Sequence, residues 1–282
     1  MAEQREPPKV AARQPPGIAE AVADRGIAKA NRTPGQTLML GILAGVYIGF
    51  GGMFAIVAGS GDAGAFGPAQ VLAGAVFSLG LILVVIGGAE LFTGNTLMIL
   101  AKAEEKIKAG KLLRSWTLVW TANFVGSLAL VALAIAAGFH TAGDGAVGAR
   151  ALEIAQEKTS KGFLAIIASG ILANMLVCLA VWLAEGGRTV ADKILAIILP
   201  IAGFVAMGLE HSVANMFLIP YGVAIELFAG PAFWAEANVA RAELADVTVA
   251  GALLNIVAAT IGNIIGGGLI ALAYWAAYLR GS

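Results

Sequence analysis

Two octapeptides decide how this chain is read: Gly88-Ala89-Glu90-Leu91-Phe92-Thr93-Gly94-Asn95 and Gly208-Leu209-Glu210-His211-Ser212-Val213-Ala214-Asn215. Both follow the pattern Gly-x-Glu-x-x-x-small-Asn, and both interrupt apolar stretches too long for one ordinary membrane crossing. Hydrocarbon accepts an acid or an irregular backbone only where protein or a water-filled cavity surrounds it. Interrupted segments at matching places in two halves of a chain point to a transport pathway.

The composition agrees with a membrane setting. Apolar residues make up 59% of the 282 and charged residues 13%, with a mean hydropathy of +0.85, whereas a soluble domain carries about 25% charged residues. The 37 glycines suit close helix–helix approach, because lipid gives apolar side chains no reason to leave it and small residues let backbones touch. A formal net charge of zero gives no reason to expect a nucleic-acid partner. Cys178, the single cysteine, has no intrachain disulfide partner. No cleavable signal peptide is expected, since residues 1–36 carry Arg5, Lys9, Arg13, Arg25, Lys29 and Arg32 and no apolar core. Within that segment, residues 16–31 can form an amphipathic helix with Ile18, Val22 and Ile27 toward one side, lying at the membrane surface. A plain polar tail is the alternative.

Apolar segments fall at 37–59, 69–101, 115–138, 162–184, 194–228 and 247–279. A straight crossing needs about 20 residues, so the second and fifth are over-long, and their excess surrounds the two octapeptides. The reading is an all-α membrane protein: a cytoplasmic segment 1–36, then a six-span domain 37–280 with halves near 37–138 and 162–279. Fourteen Lys and Arg fall in the tail, the 102–114 loop, the Arg188–Lys193 loop and at Arg280; the opposite side has Arg150, Lys158, Lys161 and Arg241. That bias places both termini in the cytoplasm. The halves also match beyond the breaks: residues 41–44 (GILA) answer 170–173 (GILA), and 122–126 (ANFVG) answer 262–266 (GNIIG). A three-span unit used twice must enter the second time from the opposite side. The expectation is therefore a 3+3 inverted repeat with broken second and fifth helices and a site near the midplane.

A broken helix exposes backbone N–H groups at one half-helix start, which draw an anion. Gly88, Gly94, Gly208 and Pro220 all favour departures from regular helix. Thr93, Asn95, Ser212 and Asn215 can satisfy freed backbone groups or face a permeant, with Asn95 and Asn215 read as structural. Glu90 and Glu210 are expected to cap exposed amides and hold the breaks in place; proton carriage is the alternative for them. His211 is the only histidine inside an expected span, His140 lying in a loop. Imidazole suits proton exchange near neutral pH, and an ionisable residue at membrane depth is functional by default. One histidine without companion ligands is no metal site, and no cofactor is expected.

At these residues the chain resembles the formate/nitrite transporter family, over about Pro15 to Arg280. The resemblance rests on the first octapeptide, residues 170–182 (GILANMLVCLAVW), 210–217 (EHSVANMF) and 260–268 (TIGNIIGGG). It implies a six-span, aquaporin-like protomer in a homopentamer of a bacterial inner membrane, with one conduit per protomer for formate, nitrite or hydrosulfide. The family's central histidine falls on His211, its threonine partner on Thr93, and its span-four asparagine on Asn174. Its constriction residues fall on Phe77, Leu81 and Phe204, and its vestibule lysine on Lys158, with Lys161 as a neighbouring substitute. In that scheme Lys158 attracts an anion and favours its protonation. The apolar rings then pass a neutral weak acid, and His211 exchanges its proton.

The resulting expectation is a channel for small monovalent anions, formate first, with proton coupling through His211, and with nitrite or hydrosulfide as the runner-up. The first break departs from some formate channels in carrying Glu90 and Gly94-Asn95 in place of a shorter acid and small hydroxylated residues. An aquaporin-type channel would want Asn-Pro-Ala at both breaks, and an ammonium channel paired pore histidines. A membrane-embedded enzyme would need a nucleophile–base pair or several metal ligands, and the chain offers His211 and two acids.

Overall fold

The structure, a computed structural model, describes residues 11–61 and 64–281. The first ten residues of the 1–36 segment, with Arg5 and Lys9, lie outside the described residues. Twelve α-helices are seen among those described: α1 Pro15–Ala30, α2 Pro34–Ala58, α3 Phe66–Gly87, α4 Phe92–Asn95, α5 Met98–Ala103, α6 Ala109–Ala136, α7 Ala146–Thr159, α8 Phe163–Gly186, α9 Val190–Ala206, α10 Ser212–Phe228, α11 Pro231–Glu236 and α12 Val249–Tyr278.

Five of them (α2, α3, α6, α8 and α12) are long and apolar enough to cross a membrane. The fifth expected segment is divided into α9 and α10, 17 residues each. The second is divided into α3, of full crossing length, and the short α4 and α5. Helix starts follow local chemistry. Thr33 and Gln36 form a reciprocal capping box ahead of Pro34, Thr189 and Asp192 form another, and Thr248 caps α12 through Gly251 N–H. Backbone N–H bonds on the exposed Asp192 carboxylate hold it below the usual carboxylate range.

Two helix crossings frame the interior, and both require glycine. A side chain at Gly45 would collide with the carbonyl of Asn123, and one at Gly126 with that of Ile42, so α2 and α6 meet backbone to backbone. The pair α8 and α12 meets in the same manner, with Gly262 against the carbonyl of Ile167 and Gly266 against that of Ile171. Close approach of this kind is what small residues provide where lipid cannot drive helices together. Helix α1 buries Ile18, Ala19, Val22, Ala23 and Gly26, its apolar face packed with Leu97, Leu100 and Trp182. It thus sits beneath the first break.

Candidate functional site

Both breaks begin with a glycine in the left-handed region: Gly88 at φ 77° and Gly208 at φ 63°. A Cβ would strain this conformation. The turns close with Ala89 N–H on Val84 O at 3.0 Å and Leu209 N–H on Phe204 O at 3.2 Å, the pattern of a glycine helix end. New helices start at Phe92 and Ser212. Gly94 lies within α4 and Pro220 within α10, which runs on to Phe228. Neither makes the departure from helix expected of it, because a proline removes one donor and neighbouring groups can serve the freed carbonyl.

One asparagine ties each break to the helices around it. Asn123 accepts Phe92 N–H at 2.9 Å and donates to Gly41 O at 2.8 Å and Glu90 O at 2.9 Å. Asn263 accepts Ser212 N–H at 2.8 Å and donates to Gly170 O at 2.8 Å and Glu210 O at 3.0 Å. Freed backbone groups at membrane depth must find partners inside the protein, and these two side chains supply them. The sequence reading did not select either residue for the site. The signal was present, since both sit inside the 122–126 and 262–266 match.

Glu90 and Glu210 are also placed alike. Asn95 donates to Glu90 and Asn215 to Glu210, each at 2.6 Å. Lys29, at 3.2 Å, and Arg32 pair with Glu90; Lys158, at 3.3 Å, and Lys161, at 2.8 Å, pair with Glu210. Among the described residues no backbone amide bonds either carboxylate, which corrects the expected amide-capping role. A buried carboxylate needs a full countercharge, and each here has two cations. Each acid is thereby compensated and loses its anion-repelling character, and at the second cluster Lys161 also pairs with Glu157 at 3.4 Å. Burial, followed by neighbouring Arg32 and Arg25, lowers Lys29 in α1 to about 7. Burial also works against the charge of Lys161, in the turn after α7, but Glu210 and Glu157 outweigh it and hold the group above the ordinary lysine value.

The two breaks meet at their middles. Thr93 Oγ1 and His211 Nε2 are 2.8 Å apart, and both residues are buried. His211 also caps α10, its Nδ1 accepting Ala214 N–H at 3.0 Å. An acceptor nitrogen carries no proton, so the neutral ring holds its hydrogen on Nε2 and donates it to Thr93. Asn174 lies behind Thr93, donating to Asn263 O at 2.6 Å, Thr96 Oγ1 at 3.0 Å and Thr93 O at 3.3 Å; it touches the carbonyl of Thr93 and not its hydroxyl. Cys178, 3.3 Å from Thr96 Oγ1, closes the same side.

Apolar rings flank this pair. Phe204 stands 5.5 Å from the His211 ring and meets Phe77 edge-on at 5.6 Å. Leu81 is buried in the same cluster. A cavity of about 220 Å³ lies on one side, walled by Leu81, Glu90 and Gly94 with Arg25, Lys29 and Arg32. A second, of about 80 Å³, lies on the other, walled by Phe77, Phe204, Asn215, Arg150 and Lys158. Thr93 and His211 line neither of these two cavities; Phe204, a wall of the second, is in ring contact with His211. His140 lies elsewhere, in a 3₁₀ turn (Phe139–Thr141), edge-on to Phe233 at 5.3 Å; burial lowers its proton affinity below the usual imidazole range.

Among known proteins, the family model described as Formate/nitrite transporter matches residues 16–276. "Formate channel FocA" of Escherichia coli K12 is 42% identical over 269 residues, covering 94% of each chain. A "Probable formate transporter" of Methanothermobacter thermautotrophicus is 38% identical, covering 87% of this chain and 90% of its own. A solved structure titled "Pentameric formate channel with formate bound" superposes with a TM-score of 0.83 at 40% identity, over 87% of this chain and 98% of the other. A second, "FNT family ion channel", gives 0.76 at 27% identity, over 93% and 98%.

Proposed function

The chain belongs to the formate/nitrite transporter family, and from that premise we propose that it is a formate channel whose protomers assemble as a homopentamer, each with its own conduit. It is an integral membrane protein. We assign it to the bacterial inner membrane with both termini in the cytoplasm, an orientation that the charge bias of its loops supports, and read its two halves as an inverted repeat of three spans each.

The observation that carries this reading is the 2.8 Å contact between Thr93 and His211, set between two mouths that each hold two cations on one carboxylate. The lysines and arginine at each end compensate the acids and present cations that can raise the local concentration of an anion. Phe77, Leu81 and Phe204 make the centre costly for a bare charge, so the ion needs donors there or must cross as the neutral acid. The Nε2–H of His211 and the hydroxyl of Thr93 are such donors. Proton coupling through His211 carries a structural condition. A second ring proton must go to Nδ1, which then faces Ala214 N–H as a donor against a donor, so charging the ring opens the cap of α10. Lys158 would serve as the vestibule lysine, steering anions to the second mouth in company with Lys161.

The test is flux in liposomes holding the purified protein, with formate, nitrite and hydrosulfide compared across pH. Formate should be conducted, and His211→Asn and His211→Phe should lower its flux about tenfold, the equivalent of one lost hydrogen bond at the barrier, and flatten its pH dependence. Wild-type dependence on pH in both variants would remove the proton role. Preference for nitrite or hydrosulfide would reassign the substrate, and turnover of a solute without transport would overturn the channel.

A further inference from the structure

On the side that carries Lys158, two cavities adjoin. The smaller, about 80 Å³, leads away from Phe77 and Phe204. The larger, about 670 Å³, is a groove between α7 and the chain after α11, where Asn238, Val239 and Glu243 form the far wall. Arg150 and Glu157 of α7 line both.

The other cations near this entrance are already engaged. Lys158 and Lys161 share Glu210, and Lys161 also pairs with Glu157 at 3.4 Å. Arg241 pairs with Glu226 and lies over the Trp234 ring. Arg150 differs. Its Nη1 donates to Glu153 at 2.6 Å, but Glu153 is 66% exposed, so solvent weakens that pair. Its Nε is buried and has no hydrogen-bond partner among the described residues. An unfilled buried donor on a charged group is costly, and a guanidinium presents Nε and a neighbouring Nη as a fork that fits a planar carboxylate. The residue beneath it is Gly59, at the end of α2, where an added Cβ would stand 3.1 Å from Arg150 Nε.

We infer that Arg150 is the docking donor of this entrance: a small planar monoanion seats on its Nε and adjacent Nη where groove and mouth join, then passes to the Lys158 side of the pore. The inference rests on the anion-channel reading and gives that channel a capture step. Its consequence is kinetic. Capture should govern the concentration at which flux saturates, while the ring of Phe77, Phe204 and His211 governs the maximal rate.

Liposome flux with formate supplied on the Arg150 side tests it, using wild type, Arg150→Gln, Arg150→Lys and Gly59→Ala. Arg150→Gln should raise the half-saturating formate concentration roughly tenfold, the scale of a charge-assisted bidentate bond, and leave the maximal flux unchanged. Arg150→Lys keeps the charge without the fork and should recover only a minor part of that loss. Gly59→Ala, which leaves Arg150 in place and crowds Nε, should shift saturation in the same direction by a smaller factor. Wild-type saturation in Arg150→Gln overturns the inference, as does wild-type behaviour of Arg150→Lys, which would reduce the role to charge alone. Absence of flux in the wild type is a different outcome, and it would strike the channel reading itself.

Discussion

The break at Gly88 and the break at Gly208 are built on one plan and finished differently. Each has a left-handed glycine, an asparagine that serves three backbone groups, and a Glu–Asn clasp held by two cations. After that they part. The second break opens a helix of 17 residues capped by its own histidine. The first opens only four helical residues before the chain turns again at Thr96–Leu97, and its Leu91 position has no side-chain cap. Its support comes from outside, with Trp116 donating to Asn95 O at 2.9 Å and Asn174 to Thr96. Even the cations have different origins, those of Glu90 coming from α1 and the residues just after it, those of Glu210 from α7 and the turn that follows. The lesson is that a repeated scaffold can hold an asymmetric centre. The shared parts fix the backbone, and the unshared parts decide which half brings the ring and which the hydroxyl.

The shared parts should be tested first, since they carry the largest effects. Asn123→Ala and Asn263→Ala each strand one buried N–H and the carbonyl of the adjoining Glu, while Gly41 and Gly170 stay within α2 and α8, at about 1–3 kcal/mol per group, so each should cost at least about 2 kcal/mol. Thermal melting of the purified protein in detergent should show two large falls of similar size. A fall at one position only would break the equivalence of the two braces. Next come the carboxylates. Glu210 is fully buried beside Lys158 and Lys161, whose side chains are 11% and 27% exposed, whereas the partners of Glu90 are 21% and 32% exposed. Neutralising a buried acid strands its cations more severely than neutralising one whose partners reach water. Glu210→Gln should therefore cost about 3 kcal/mol and Glu90→Gln about 1 kcal/mol, again by melting. The reverse order would mean that α1 shields the first cluster better than its exposure indicates.

The breaks and their central histidine were legible in the sequence for a simple reason. Glycine beside an acid within hydrocarbon-length apolar sequence has few harmless explanations, and the length excess of 69–101 and 194–228 located the interruptions. The long α2, α3, α6, α8 and α12 were legible from hydropathy alone. What hydropathy reports, however, is that Glu90 must be shielded; it does not report by what. Lys29 lies 61 residues away in sequence, and before folding nothing separates it from the other tail cations that set orientation. Asn123 and Asn263 were visible only as part of a match between halves, because an asparagine in an apolar span advertises polarity and not the three bonds it makes. Amide capping was expected of the acids because a carboxylate can accept the N–H groups that a broken helix exposes. Burial decided otherwise, giving the carboxylates to cations and leaving the amides to Asn123, Asn263 and His211.

The smallest expected effect probes where the asymmetry is stored. Thr93 and His211 share one hydrogen bond, yet the ring's tautomer follows from the other nitrogen, which is fixed by Ala214 N–H within the second break. Thr93→Val removes the acceptor for Nε2–H and keeps the volume, so it should cost about 1 kcal/mol in stability, with Thr93→Ser near wild type. Nitrogen NMR of the labelled His211 ring then separates two accounts of the centre. If the second break alone sets the ring, Thr93→Val leaves Nδ1 unprotonated and Nε2 protonated, and only the Nε2 shift moves. If the tautomer changes, Thr93 also helps to choose it, and the first break is a partner in setting the ring and not just the wall it faces. The Ala214 cap argues for the first result, since an Nδ1–H would have to displace the backbone donor that Nδ1 now accepts.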